Sequence, residues 1–507
     1  MSKYEVIIGL ETHVQLKTKS KMFCGCDNTG DQQPPNTTVC PVCMGHPGTL
    51  PVINRQAIEW GVKTALALRC EIPEQSKFDR KHYFYPDLPK GYQISQYDQP
   101  VGINGTLTIT LENGKTKDIG VERLHLEEDA AKLNHSDQGT FVDFNRAGTP
   151  LMEIVSKPHI RGAEEAKAYM QELRAIVRYL GVSDADMEKG NMRCDVNISL
   201  RPTDWEDTRF SPKTEIKNVN SFRHVERAIH YEIERQTELW EAGKPPQVTT
   251  TRGWNDAEQR TEEQRTKEGA ADYRYFPDPD LPPLRFGYGI SEADKKAGII
   301  DVQALEAQLP ELPSKKRHRF MEEFGLSMME SNTIAYDHDL ANYFEQIVSE
   351  LQAWAGDTKG IDWSKDKKKL VKSAAGWLSS KFTKLLTDAE QSIRDTKVTA
   401  ENFAELITML HTGAINSAVG QQVLEFMHKK GGDPSNIVAD QGLSQISDSG
   451  ELQKIIDGVI AANAKSVADY KAGKENALQF LLGQVMRQSK GKANPQTAMD
   501  LIKKSLA

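Results

Sequence analysis

Hydrophobic and polar positions alternate along residues 4–16, in the pattern of a half-buried strand. Neighbouring side chains of such a strand point to opposite faces of the sheet. One face is therefore predicted to enter a hydrophobic core, and the other carries polar groups that need partners if they are buried. The first face comprises Leu10, Thr12, Val14 and Leu16, and the polar face comprises Glu11, His13 and Gln15.

Further along the chain the spacing of apolar residues changes from that of strands to that of helices. Residues 105–129 predict a hairpin with an Asn-Gly turn. Residues 161–181 have apolar positions at helical spacing and end at Gly181, and residues 223–243 predict a second amphipathic helix. Strands followed by intermixed helices are typical of an α+β fold rather than of repeated βαβ units.

The chain of 507 residues is too long to form a single hydrophobic core. We predict an α+β body over residues 1–293, which is closed by a proline-rich segment. An all-helical middle domain is predicted over residues 294–410 and a small helical tail domain over residues 411–507. Within the tail, residues 431–442 predict a break between helices.

Composition describes a globular protein without an overall basic surface. Hydrophobic residues make up 38% and charged residues 27% of the chain, and no apolar run is long enough to span a membrane. The first apolar run is interrupted by Glu11 and His13, so it predicts a strand rather than a signal peptide, and we expect a cytoplasmic protein. Because the formal net charge is −8, a nucleic acid would have to bind at a local basic patch.

Four of the six cysteines lie close together, in the pattern Cys-x-Cys, thirteen residues, Cys-x-x-Cys. In a reducing compartment such a cluster favours metal ligands over disulfides. Four thiolates would close a tetrahedral zinc site and leave no open position for catalysis, so we predict structural zinc. A redox pair or unrelated thiols are the alternative. The four ligands are Cys24, Cys26, Cys40 and Cys43.

Acidic residues occur inside otherwise apolar strand segments, together with His13. Acids at such positions cost free energy unless a cation or a hydrogen-bond donor meets them. Several of them beside a histidine would form an oxygen-rich site for Mg²⁺, which neutralises charge in phosphoryl transfer. Solvated acids and structural ion pairs are the alternative. The acidic candidates are Glu11, Glu127, Glu128, Asp129, Glu153, Asp195 and Glu215.

Basic and aromatic residues leave similar alternatives open. Arg146 and Lys217 would clamp phosphate groups or be solvated surface charges. The aromatic residues of segment 81–98 would stack a base or a ribose, or pack in the core and in turns. The sequence has no G-x-x-x-x-G-K-[ST] phosphate loop and no G-x-S-x-G elbow, so ATP would need another kind of site.

Seven segments of the body resemble, in order, the signature segments of the GatB/GatE family, which includes the B subunits of the aspartyl/glutamyl-tRNA(Asn/Gln) amidotransferases. Residues 474–502 resemble more weakly the GatB/YqeY type of domain. Many long segments in one order are more specific than any single motif. The seven segments are GLETHVQL, KHYFYPDLPKGYQISQYD, RLHLEEDAAKL, FNRAGTPLMEIV, RCDVNISLRP, TEIKNVNSF and DYRYFPDPDLPP.

The resemblance implies an enzyme that amidates an amino acid already attached to tRNA. Its substrates would be glutamate mischarged onto tRNA(Gln) or aspartate mischarged onto tRNA(Asn). ATP and Mg²⁺ would convert the side-chain carboxylate to an acyl phosphate, which ammonia then attacks. In the family, ammonia comes from glutamine hydrolysed by a partner amidase, the A subunit, while a small C subunit holds the heterotrimer together. The absence of a glutaminase motif here agrees with that division.

The resemblance also implies roles for individual residues and a cradle-like shape for the α+β body. Some members of the family lack the four cysteines, which agrees with a structural role for zinc. The implied magnesium ligands are Glu11, His13, Glu127 and Glu153. The residues implied to support these ligands or to bind a second ion are Glu128 and Asp195. The residues implied to contact phosphate or acyl phosphate are Arg146, Lys217 and Asn218.

Two basic clusters are candidate contacts for tRNA phosphates. Residues 363–384 carry seven lysines and one acid. Each cluster taken alone is as well explained by a solvated helix face, but the resemblance favours tRNA binding by the tail. The basic residues of the tail are Lys471, Lys474, Arg487, Lys490, Lys492, Lys503 and Lys504.

Two other functions compete with the amidotransferase hypothesis. A noncatalytic tRNA-binding adaptor stabilised by zinc would not need to keep Glu11, His13, Glu127 and Glu153 inside strands. A self-sufficient zinc enzyme would need an open coordination position, which four thiolate ligands do not leave. The sequence therefore favours the amidotransferase hypothesis.

Overall fold

The structure is a computed structural model that describes residues 3–206, 209–267, 272–357, 361–443, 449–489 and 492–506. Lys490, one of the predicted basic residues of the tail, lies outside these ranges. The chain divides into two compact units, which meet in sequence between Lys315 and Lys316. Across the described ranges, every helix is too short or too polar to cross a membrane.

The first unit is built on an eight-stranded mixed sheet in the order β13-β12-β11-β10-β1-β9-β6-β5. Only the β11–β12 pair within this sheet is parallel. The first unit also contains three smaller sheets, with the strand orders β14-β3-β4, β16-β15-β2 and β7-β8. The strands are β1 (Tyr4–Gln15), β2 (Gln75–Ser76), β3 (Asp79–His82), β4 (Tyr92–Ser95), β5 (Gly102–Thr110), β6 (Thr116–Glu128), β7 (Lys132–Ser136), β8 (Gly139–Asp143), β9 (Pro150–Ser156), β10 (Met192–Pro202), β11 (Thr214–Val219), β12 (Thr249–Asn255), β13 (Arg260–Lys267), β14 (Phe276–Pro277), β15 (Leu284–Gly287) and β16 (Ile300–Asp301).

Helices cover one face of the large sheet and enclose the core of this unit. Leu10 and Val14 of β1 are fully buried there, and the Thr12 hydroxyl donates to the sulfur of Met170 at 3.4 Å. The other face of β1 therefore carries Glu11 and His13, as the alternation predicted. The helices of this unit are α1 (Arg55–Ala67), α2 (Ala163–Tyr179), α3 (Phe222–Glu241), α4 (Glu292–Lys296) and α5 (Val302–Glu306).

Most elements predicted in the body are confirmed, because turn and cap residues mark their ends. The β5–β6 hairpin turns at Gly114, and Gly181 and Gly243 follow α2 and α3, all three with positive φ. The prediction of an α+β fold is confirmed. Sequence analysis missed α1, whose apolar residues pack against β5 and β6 within a region that reads mainly as strands.

The second unit is helical and contains two hydrophobic clusters. The first runs from Phe320 to Val438 and the second from Leu452 to Leu506. Residues 431–442 contain the short helix α13 and not simply a break, because Ile437 and Val438 pack into the first cluster. The helices are α6 (Pro313–Phe324), α7 (Met328–Ala335), α8 (His338–Asp357), α9 (Trp363–Gly376), α10 (Thr383–Asp388), α11 (Ala400–Thr412), α12 (Ser417–Lys430), α13 (Pro434–Asp440), α14 (Ser449–Ala462), α15 (Ala464–Lys471), α16 (Glu475–Gln488) and α17 (Pro495–Leu506). A short π-helical turn, Trp377–Phe382, joins α9 to α10.

The predicted domain boundaries at 293 and 410 stay predictions. Helix α11 is continuous across residue 410. The prediction of helices after the α+β body is confirmed, apart from the two-residue strand β16.

Glu405 is a buried acid of the helical unit. It lies on α11 with 5% of its surface exposed. Burial raises the pKa of Glu405 to about 7, and the negative charge of nearby Asp433 acts in the same direction. A hydrogen bond from Ser435 opposes this rise. Its pKa is thus higher in the folded chain than the ordinary value of 4.5.

We expect Glu405→Gln to stabilise the chain at about pH 8 and to have little effect at about pH 4.5. The contribution of a carboxyl group with a raised folded pKa is fully present below its unfolded pKa. This contribution to the free energy of unfolding declines as the pH rises above the unfolded pKa and is lost above the folded pKa. For Glu405 the total loss is about 3 kcal/mol. Thermal unfolding of the full chain and the variant across this range would test it, and parallel pH curves would contradict it.

Candidate functional site

A row of four charged or titratable side chains crosses the sheet face that lies opposite the helices. His13 on β1 is in register with Arg193 on β10 and with Glu153 on β9, and Glu153 is in register with His125 on β6. Residues paired in this way point to the same face. Antiparallel pairing thus brings together residues that are far apart in the sequence.

This row forms part of the floor of a polar cavity of about 700 Å³. The sheet contributes residues from β1, β6, β9, β10 and β11. Residues 81–97, the segment with Tyr273 and Tyr275, and the loop residues Asp129, Ala130 and Arg146 contribute to the walls. The cavity lies entirely within the first unit.

His13, Glu127 and Glu153 form the first group of possible metal ligands, with one donor atom of each within 4.8 Å of the others. His13 Nε2 lies 3.4 Å from Glu153 Oε2 and 3.7 Å from Glu127 Oε1. Glu127 is 2% exposed and also accepts a hydrogen bond from the Ser95 hydroxyl at 3.1 Å. These three predicted ligands are brought together.

Histidine contacts favour the ionised form of both buried carboxylates. His125 Nε2 lies 3.1 Å from Glu153 Oε2 and 3.7 Å from Glu127 Oε2. Burial lowers the pKa of His125, but the two carboxylates outweigh it and raise the value to about 9. Against the effect of burial, His125 and His13 hold the pKa of Glu153 well below its usual value, and the pKa of Glu127 is lowered as well.

Glu11 belongs to a second group of carboxylates, with Asp195 and Glu215. Asp195 is opposite Glu11 in the β1–β10 register, and Glu215 comes from β11. The Lys217 ammonium lies 2.5 Å from Asp195 Oδ2 and 3.0 Å from Glu215 Oε1. The sequence predicted Glu11 in one set with His13, whereas the structure places it beside the residue predicted for a second ion.

Glu128 was predicted beside these groups, but the structure places it outside the cavity. Adjacent residues of β6 point to opposite faces, so Glu128 points away from the direction of Glu127. Its carboxylate accepts from the Ile94 N–H at 3.0 Å and pairs with Lys90 at 2.6 Å. It lines a smaller cavity of about 220 Å³ next to the cysteine loop. In this structure Glu128 therefore forms an ion pair with Lys90 outside the larger cavity.

Arg146 lines the cavity, but its guanidinium donates hydrogen bonds to backbone carbonyls. Its guanidinium donates to the carbonyls of Ala130 at 2.9 Å and Ala131 at 2.8 Å, and it lies 3.7 Å from Asp129. Asp129 also pairs with Arg193 at 2.7 Å. Ala131 is not among the residues with positive φ, so its backbone needs no glycine.

Asn218 lies at the exposed edge of the cavity with φ of 64°, a left-handed conformation that asparagine tolerates. Sequence analysis missed Lys81, whose ammonium enters the cavity 5.0 Å from the Tyr273 ring centre. Burial lowers its pKa, but Glu127, Tyr275 and Glu153 raise it overall. In the part of the chain that the structure describes, no carboxylate lies within 4 Å of this ammonium.

His125 and Arg193 were also missed as members of the site, whereas Glu215 was one of the acidic candidates. The signal was present, since His125 alternates with Glu127 along β6, and Arg193 alternates with Asp195 along β10. Glu215 alternates with Lys217 along β11. Residues two apart on one strand share a face, so the predicted ligands point to these neighbours.

The cysteine loop forms a separate site, in which the four cysteine sulfurs lie within 4.8 Å of one another. All six cysteines of the chain are free. The Cys43 sulfur accepts from the Cys40 N–H at 3.2 Å, and the fully buried Lys21 ammonium lies 3.9 Å away. A hydrogen bond with the Cys24 side chain lowers the pKa of Cys43 to about 4, although burial acts in the opposite direction. Hydrogen bonds with Cys40 and the positive charge of Lys21 also lower this pKa. The cluster is compatible with a structural metal.

Comparison with known proteins covers nearly the whole chain. The family model for the GatB/GatE catalytic domain matches residues 6–291, and that for the GatB domain matches residues 363–506. Three relatives are named as the B subunit of aspartyl/glutamyl-tRNA(Asn/Gln) amidotransferase. The one from Brevibacillus brevis is 46% identical over 100% of this chain and 99% of its own length. The one from Persephonella marina is 45% identical over 99% and 100%, and the one from Carboxydothermus hydrogenoformans is 44% identical over 100% of both.

The matched ranges include every residue of the cavity floor and the whole cysteine loop. The predicted resemblance is confirmed, and the chain belongs to the GatB/GatE family.

Proposed function

We propose that the protein is the B subunit of a glutamine-dependent amidotransferase that converts Glu-tRNA(Gln), Asp-tRNA(Asn) or both to the amidated forms. The relatives carry that activity in their names and match the chain from end to end. The observation that carries the proposal is the pair of buried carboxylates, Glu127 and Glu153, held beside two histidines on the floor of a cavity of about 700 Å³. A tRNA-binding adaptor would not need this costly arrangement.

The reaction must first make the side-chain carboxylate of the charged tRNA reactive, because oxide is a very poor leaving group. A carboxylate oxygen attacks the γ-phosphorus of ATP, and ADP leaves with the electrons of the broken bond. Ammonia then attacks the acyl carbon of the resulting acyl phosphate, and inorganic phosphate leaves after a proton is lost. This is ATP-dependent carbon–nitrogen ligation.

The donor atoms fit a magnesium ion in part of this site. Glu127 and Glu153 offer the hard oxygen ligands that Mg²⁺ prefers, and His13 offers a nitrogen. Glu11 and Asp195, with Glu215, offer a second oxygen-rich group. A bound Mg²⁺ would neutralise phosphate charge and position the oxygens for in-line transfer.

The chain's own cations would hold the transferred phosphate and the substrate carboxylate. Lys81 is the best placed, because its ammonium lies in the cavity without a carboxylate partner among the described residues. Lys217 is paired with two carboxylates, so it would contact phosphate only by exchanging one of them. Arg146 would support the wall and Asn218 would donate from the edge of the cavity.

The remaining predictions complete the proposal. Residues 1–293 would be the catalytic domain, 294–410 a helical domain and 411–507 a tRNA-binding tail. Ammonia would come from the amidase, which is the A subunit, and a small C subunit would complete a cytoplasmic heterotrimer. The metal of the cysteine loop would be zinc, because four thiolates suit its tetrahedral shell.

Replacing Glu127 by Gln in the assembled complex should lower the rate of amide formation on tRNA by about 100-fold or more. The amide has the same size but lacks the charge that a metal ligand needs. Glutamate release from glutamine by the partner should continue. Thin-layer analysis of the amino acid recovered from tRNA would measure the first activity, and a glutamate assay the second.

Two controls separate this charge from general damage to the body. Asp137→Asn, an exposed change in the β7–β8 turn, should leave both activities unchanged. Glu128→Gln should lower stability by leaving Lys90 without its partner, yet keep the amidation rate of the folded protein within a few-fold of normal. Equal amidation by the Glu127→Gln variant and the parent would refute the assigned role.

Replacing Cys40 and Cys43 by Ser should remove the metal and lower the unfolding temperature, because the loop loses its cross-link. The parent should contain about one zinc ion per chain by elemental analysis. Cys70→Ser, at a buried cysteine outside the cluster, is the matched control and should keep its zinc. A double variant with the metal content of the parent would contradict a zinc site here.

Changing both Lys503 and Lys504 to Glu should weaken tRNA binding, since both lie exposed in the last turn of α17. The slope of log affinity against log salt should fall by about one for each lost phosphate contact. Lys115→Glu, in the β5–β6 turn, is the control and should bind normally. Filter binding of uncharged tRNA at several salt concentrations measures this, and an unchanged slope would argue against the tail contact.

A further inference from the structure

The rim of the catalytic cavity is built by two segments that are distant in sequence. Strand β14 pairs with β3 in the register Phe276 to Arg80. The Arg80 guanidinium donates to the buried Asp278 at 2.8 Å, and the His82 N–H donates to the Tyr273 carbonyl at 2.8 Å. These contacts fix Tyr273 and its neighbour Tyr275 over the cavity.

Tyr275 stacks against Tyr97 with ring centres 4.2 Å apart and planes inclined by 10°. Tyr273 meets Tyr275 edge to face, with ring centres 6.1 Å apart. Tyr97 is 59% exposed and both stacked rings line the cavity. Among the described residues, no other ring packs on Tyr97, and an aromatic face is left open to a ligand.

We infer that the open face of Tyr97 binds the adenine ring of the 3′-terminal nucleotide of the charged tRNA. This inference rests on the proposed function. The terminal adenosine carries the amino acid whose side chain must reach Glu127 and Glu153, so its base belongs on a wall of the same cavity. Stacking on tyrosine suits a terminal base, because every base has a π face.

The position of the stack distinguishes this base from the adenine of ATP. The terminal nucleotide stays joined to a long RNA, so its site must open to solvent on one side. Tyr97 lies at such an edge, because it lines the cavity and is 59% exposed.

Steady-state kinetics of the assembled amidotransferase would test the assignment. Tyr97→Ala should raise the KM for Glu-tRNA(Gln) by about tenfold and leave the KM for ATP unchanged. Tyr97→Phe keeps the ring and should stay within about twofold of the parent. Tyr288→Ala is a matched control, since Tyr288 is 58% exposed but does not line the cavity. A rise confined to the KM for ATP would overturn the inference.

Base stacking on Tyr97 can be measured directly with a tRNA that carries 2-aminopurine in place of the terminal adenine. Binding to the parent complex should quench its fluorescence by stacking, and Tyr97→Ala should lose most of this quenching. Equal quenching by the parent and Tyr97→Ala would also overturn the inference. A parent complex that quenches the probe but forms no amide would instead refute the proposed function, so the two failures are distinguishable.

Discussion

Burial of two ionised carboxylates is the constraint on which the rest of this structure depends. Glu127 and Glu153 lie on the sheet with almost no exposure, and isolated charges in that position would be unstable. His125 and His13 compensate them at 3.1 to 3.7 Å, and Lys81 adds a third cation from the cavity wall. The strands must therefore keep their register. A shift of one residue would move these side chains to the opposite face of the sheet, which packs against the helices.

The cysteine loop extends this constraint to the edge of the cavity. Asn145 donates to the carbonyls of Gly30 and Pro34 and accepts from the Thr38 N–H, which ties the loop to the residue before Arg146. Lys21 places a buried positive charge 3.9 Å from the Cys43 sulfur. A metal in this loop would thus stiffen one wall of the cavity without taking part in the reaction.

Alternation and turn residues were sufficient to predict β1, the β5–β6 hairpin, helices α2 and α3, and the side of β1 that carries Glu11 and His13. They were not sufficient to divide the acids into two groups, since this depends on how β10 and β11 pair with β1. Glu128 was misplaced although the period of two within β6 already separated it from Glu127. Lys81 and the Tyr97–Tyr275 stack depend on pairing between β3 and β14, which no local pattern reveals.

The central claim is that this polar cavity activates the side-chain carboxylate of a charged tRNA by phosphorylation. The most direct measurement follows oxygen-18 from that carboxylate in Glu-tRNA(Gln) during amidation by the complete complex. Transfer through an acyl phosphate predicts one labelled oxygen in each inorganic phosphate released with the amide. Amide formation accompanied by unlabelled phosphate would contradict the account.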